Sequence, residues 1–182
     1  MSFDLDKTVK ALLDGCAVRA DDGTLLYTPD GRGNYRALWT RDFAYMMHGA
    51  GDLIPPDNAR ACIEYLIAGA RPIDGWIPDR VEPQGKAIYT AGDEHFPALP
   101  NLDTGTYLVL AADEYLSRLP ESEANAQFVA WEGALSRSLA CLPVDETTWL
   151  IVNDTEPPHS PYGFTDCVAK DAMLDYVKNF LS

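Results

Sequence analysis

In Trp39-Thr40-Arg41-Asp42-Phe43-Ala44-Tyr45-Met46-Met47-His48-Gly49-Ala50, the apolar residues Trp39, Phe43, Met46, Met47 and Ala50 recur at intervals of three and four. That is the period of a helix with one face turned to a core. Five further segments share it. Toward the N-terminus, Leu5, Val9, Leu12, Leu13 and Cys16 follow the same spacing. Downstream, Pro55-Pro56-Asp57 opens a helix, since proline is tolerated in a first turn, and Ala59, Cys62, Ile63, Leu66, Ile67 and Ala70 lie on one face as far as Arg71-Pro72. A fourth helix begins near Asp103 and carries Leu108, Val109, Ala112, Tyr115, Leu116 and Leu119. The fifth follows Ser122 with Phe128, Trp131, Leu135, Leu139 and Leu142, and the sixth runs from Thr165 through Val168, Ala172, Met173, Tyr176, Val177 and Phe180. His48 falls on an apolar helix, where histidine reads as a core residue.

The connections alternate in length. Residues 51–56 and 120–122 are short, whereas 19–37, 73–101 and 144–165 are long and rich in Gly, Pro, aromatic and acidic residues. Long ordered loops in a compact domain carry function. In 19–37, Asp21-Asp22-Gly23 and Pro29-Asp30-Gly31 supply turn chemistry around short strand-like segments, so a short β-hairpin fits near the N-terminus. The alternation predicts an all-α array of stacked helical hairpins with every long loop on one side, above a pocket. At 182 residues it reads as one domain, against a typical domain of about 100–200 residues.

Composition narrows the function. With 28 Asp plus Glu against 14 Lys plus Arg, the formal charge of −14 repels phosphate backbones and anionic membrane surfaces. No nucleic acid and no membrane are expected as partners. The first residues lack the basic and apolar regions of a signal peptide, and no run of about 18 apolar residues could span a bilayer, so a cytoplasmic location is expected. Cys16, Cys62, Cys141 and Cys167 form no CxxC pair and read as free thiols. His48, His95 and His159 show no ligand spacing, so no metal and no cofactor are expected. The segment Asp30-Gly31-Arg32-Gly33-Asn34 lacks the lysine of a phosphate loop.

The densest group of reactive side chains is Trp39, Arg41 and Asp42 at a helix start. Thr40 or Asp42 either caps that helix or serves a ligand. Arginine and aspartate together present donors and acceptors that match vicinal sugar hydroxyls, and tryptophan adds an apolar face for a pyranose ring. Trp-Thr-Arg-Asp at this position resembles the substrate-binding signature of the six-hairpin glycosidases, glucoamylases and their relatives. Three later stretches resemble site segments of the same family: Asp74-Gly75-Trp76-Ile77-Pro78, Leu102-Asp103-Thr104-Gly105 and Ser160-Pro161-Tyr162-Gly163-Phe164-Thr165-Asp166. Family members have six hairpins around a central mouth, about twice this length, so the resemblance implies half or part of an (α/α)6 toroid.

The resemblance also implies a glycoside hydrolase that releases terminal sugars from neutral oligosaccharides or small glycosides. One carboxylic acid protonates the glycosidic oxygen, and a second carboxylate activates water or attacks the anomeric carbon. Asp166 is the first choice of acid, with Asp154 and Glu156 as alternatives. Each also reads as a helix-start or loop charge. Trp39, Arg41, Asp42, Trp76, Asp103 and Tyr162 are the expected substrate-binding residues. Trp76 and Trp149 sit in long loops, where an aromatic either pins the loop to the body or forms a sugar platform, and Trp76 is the better platform candidate. A non-catalytic sugar-binding domain and a helical protein-interaction module are the rival readings. The open edges of a half toroid, at Leu5, Val9, Leu12, Met173, Tyr176, Val177 and Phe180, predict a homodimer or higher homo-oligomer.

Overall fold

The computed structural model describes residues 4–90 and 99–153. Five helices form where the spacing places them: α1 (Leu5–Gly15), α2 (Thr40–Ala50), α3 (Pro56–Ala68), α4 (Thr104–Leu116) and α5 (Glu121–Ala140). The sixth expected helix lies outside the described residues. Asp4 caps α1 by accepting from Lys7 N at 3.0 Å, and Pro56 opens α3. Helix α4 packs against α2, α3 and α5. Phe43, Met47, Ile63, Leu66, Leu108, Ala111, Trp131 and Leu135 fill the space between them. Gly105 lets α4 and α5 meet: a Cβ there would stand 2.3 Å from the Ser138 carbonyl oxygen. Among the described residues no helix is long and apolar enough to cross a membrane.

The all-α half toroid is overturned by two antiparallel sheets. Strands β1 (Ala17–Arg19) and β2 (Leu25–Tyr27) form one; β3 (Leu38–Trp39), β4 (Arg80–Val81) and β5 (Ala87–Ile88) form the other, in the order β3-β4-β5. The fold is therefore a small mixed one of helices and short sheets. The physical reason is local. Both hairpins turn through three residues, the third a glycine in the left-handed region, Gly23 at φ +90° and Gly85 at φ +80°. Ala20 N donates to Thr24 O at 2.8 Å to close the first turn, and Glu82 N to Lys86 O at 3.0 Å closes the second. The two turns are joined where Asp21 N donates to Pro83 O at 2.9 Å.

The expected start of the second helix moves by one residue. Trp39 is extended, at φ −89° and ψ 124°, because Leu38 and Trp39 pair with Val81 and Arg80. Helix α2 then starts at Thr40 without a side-chain cap. His48 is not a core residue. It stands exposed near the end of α2 with Nδ1 2.5 Å from Glu114 Oε1.

Candidate functional site

The starts of α2 and α4 grip one loop. Thr40 Oγ1 donates to Pro78 O at 2.6 Å, and Thr104 Oγ1 donates to Ile77 O at 2.8 Å. Both hydroxyls are buried, so each helix start is spent on positioning the 76–79 loop rather than on capping itself. Thr40 N also donates to Asp79 O at 2.9 Å. Trp76 anchors the loop from behind, 6% exposed and packed with Leu102, Tyr89, Cys141, Leu142 and Ile151. This is the pinning role; its ring offers no open face.

The grip fixes Asp79, which is 3% exposed. Asn101 Nδ2 donates to its Oδ1 at 2.6 Å, and Arg80 Nη1 donates to its Oδ2 at 3.0 Å. Burial pushes the Asp79 carboxyl up to about 6, against the pull of the Arg80 and Arg41 guanidiniums. Arg80 lies over the Trp39 ring at 4.6 Å, a cation–π contact between residues paired across β3 and β4. Trp39 meets Tyr35 edge-on at 5.6 Å. Its buried Nε1 has no hydrogen-bond acceptor among the described residues.

The second pair crosses between the helices. Arg41, in the first turn of α2, donates from Nη2 at 2.9 Å and from Nε at 3.3 Å to Asp103 Oδ2, at the start of α4. Their side chains are 9% and 16% exposed. The guanidinium also stands over the Tyr107 ring at 5.7 Å, and the Tyr107 and Tyr45 hydroxyls are 2.9 Å apart. Burial and the Tyr45 hydroxyl hold the Tyr107 phenol above its ordinary value. Asp103 makes no side-chain cap bond to α4, so its carboxylate serves the crossing pair. Asp42 is half-buried in the first turn of α2.

Beside Trp39 and Arg80 opens a cleft of about 670 Å³, bordered by Arg19, Asp21, Asn34, Tyr35, Arg36, Glu82 and Gln84. Small-molecule sites span about 300–1,000 Å³, so one or two rings fit. Its wall is polar and aromatic, with Arg36 unpaired among the described residues. Those residues hold no cluster of His, Cys, Asp or Glu suited to a metal ion. Cys16, Cys62 and Cys141 are free thiols, and burial pushes Cys62 up to about 12.

Of the expected site residues, Arg41 and Asp103 are brought together where α2 and α4 start; Asp42 follows Arg41 in the first turn of α2, Trp39 meets Arg80 and Tyr35, and Trp76 is buried with Leu102. Asp154, Glu156, Tyr162 and Asp166 lie outside the described residues. The sequence reading missed Asp79, Arg80, Tyr45 and Tyr107. A signal for the first two was present: Asp79-Arg80 directly follows the Asp74–Pro78 stretch and repeats the acid-arginine adjacency of Arg41-Asp42. Tyr107 stands four residues after Asp103, on the same side of a helix. Compared with known proteins, the chain matches no family model, no curated protein and no solved structure.

Proposed function

We propose that this chain binds the terminal sugar of a neutral oligosaccharide or small glycoside and acts as a glycoside hydrolase. The observation that carries the reading is the Arg41–Asp103 pair, beside Tyr107 where two helix starts meet. A fork of donors beside carboxylates is the chemistry that vicinal hydroxyls require, and aromatic faces suit the C–H side of a pyranose. Asp79 and Asn101 are positioning residues: they hold Arg80, and through it the plane of Trp39. The Trp-Thr-Arg-Asp resemblance to six-hairpin glycosidases supports the same activity without its toroid.

In the reaction, Asp166, or Asp154 or Glu156 in its place, gives a proton to the glycosidic oxygen, which leaves as an alcohol. A second carboxylate removes a proton from water as the water attacks, or itself bonds to the anomeric carbon and is released by water in a later step. The cytoplasmic location belongs to the proposal, since unpaired thiols suit a reducing compartment. So does the homodimer: Leu5 and Leu12 are exposed on α1, and light scattering tests it.

Hydrolysis of an aryl glycoside panel by the purified chain is the test, with Asp166→Asn and Arg41→Lys beside the wild type. Arg41→Lys keeps the charge but loses the fork. It is expected to lower kcat/KM by about tenfold to a hundredfold, the worth of one charge-assisted hydrogen bond. Turnover by Asp166→Asn at the wild-type rate removes Asp166 as the acid. Sugar binding without turnover of any glycoside assigns the chain to the non-catalytic reading, and neither binding nor turnover refutes the proposal.

A further inference from the structure

Trp149 is the one non-glycine among the described residues with a left-handed backbone, at φ +58°. A bulky side chain resists that conformation, so the local structure must impose it. Here the imposing structure is a short hairpin. Val144 and Ile151 bridge its arms, Asp145 N donates to Leu150 O at 2.9 Å, and Trp149 N donates to Asp145 O at 2.8 Å. The Asp145 carboxylate gathers the turn: its Oδ1 accepts from Thr147 N at 3.0 Å, Thr148 N at 2.7 Å and Thr148 Oγ1 at 2.8 Å.

This arrangement delivers the indole to solvent, 79% exposed. Among the described residues it has no ring, cation or hydrogen-bond partner that would offset the strain. The hairpin is rooted close to the site already described. Ile151, two residues on, packs into the cluster of Trp76 and Leu102, and Leu102 precedes Asp103. Tryptophan at the tip is flanked by Asp145, Glu146, Thr147 and Thr148. Flat aromatic faces take nucleobases as well as sugars, but an acidic tip repels the phosphates a nucleotide carries. A neutral ring with hydroxyls on its edge and C–H groups on its face fits both features.

We propose that Trp149 is the stacking platform for a sugar ring of an extended neutral oligosaccharide, a ring other than the one at Arg41 and Asp103. The proposal rests on the carbohydrate reading and deepens it by selecting chain length. Trp149 thereby takes the platform role for which Trp76 was the better candidate in the sequence.

The experiment measures Kd by calorimetry for gluco-, manno- and xylo-oligosaccharides, from monosaccharides to longer chains, on the whole chain and its Trp149→Gly and Trp149→Phe variants. Melting temperatures are recorded beside them. Glycine takes the left-handed backbone without strain and removes no packed surface, so Trp149→Gly melts at or above the wild-type temperature. It binds long chains about tenfold more weakly, the worth of one lost aromatic face, and monosaccharides unchanged. Trp149→Phe restores part of the loss. Long chains bound equally by Trp149→Gly and wild type overturn the platform alone. A clear fall in melting temperature makes Trp149 a structural residue and also overturns it. A wild-type chain that binds no sugar of the panel refutes the carbohydrate reading and the platform together.

Discussion

Arg41→Ala is expected to unfold the protein more readily as well as to impair its site. The side chain is 9% exposed, donates twice to Asp103 Oδ2 and lies over Tyr107. Truncating it leaves the Asp103 carboxylate in a place from which water is largely excluded. Breaking one side of a buried pair costs about 3–5 kcal/mol. For a chain of 150–250 residues each kcal/mol moves Tm by about 2–4 °C, so the fall should be about 6–20 °C by calorimetry. The double variant Arg41→Ala, Asp103→Asn removes the carboxylate together with the guanidinium. It should be less destabilised than the two single changes summed, by about 1.5–3 kcal/mol for hydrogen bonds between charged groups. An Arg41→Ala protein melting within about 2 °C of wild type, or a strictly additive double variant, would show that the pair does not hold the helix starts together.

Asp79 carries a pH dependence of unusual sign. Its folded carboxyl titrates at about 6 against an ordinary 3.8, so the native state holds the proton more tightly than the unfolded chain. The associated stability is present below about pH 4 and is lost as the pH rises through about 6, up to about 3 kcal/mol in all. Urea denaturation across that range should show Asp79→Asn gaining on wild type as the pH rises; parallel curves refute it. Two glycine substitutions should move Tm in opposite directions. Gly105→Ala drives a methyl into the Ser138 carbonyl and costs about 1–3 kcal/mol. Gly133→Ala, at an open, exposed position inside α5, contributes up to about 1 kcal/mol of helix propensity. Equal shifts in the two melts would overturn the packing argument.

The helices were legible because each presents an apolar face at helical spacing over three turns or more. The strands β3, β4 and β5, unlike the hairpin of β1 and β2, were not, since each is two residues long and too short to show alternation. Trp39 illustrates the conflict. It fits the periodic face of α2, yet pairing with Arg80 draws it into a sheet. The reactive residues clustered around one helix start could be read locally, but not the partner of Arg41, which lies 62 residues away. Trp76 and Trp149 looked alike in sequence because burial depends on what the loop reaches. His48 sat at helical spacing with the core residues, yet its position on α2 faces Glu114 at the surface.

The grip of Thr40 and Thr104 on the 77–78 carbonyls also bears on the order in which the molecule assembles. The two hydrogen bonds close stretches of 38 and 27 residues, and neither helix alone can hold the loop at both points. Closing such stretches costs entropy that local helix formation does not, so α2 and α4 can form before the loop is seated between them. Until then Asp79 stands in water and ionises as an ordinary aspartate. In that order of events the charged cluster is completed only when the loop is seated. A ligand that recognises it prolongs the life of the native state by slowing unfolding, and does little to hasten folding.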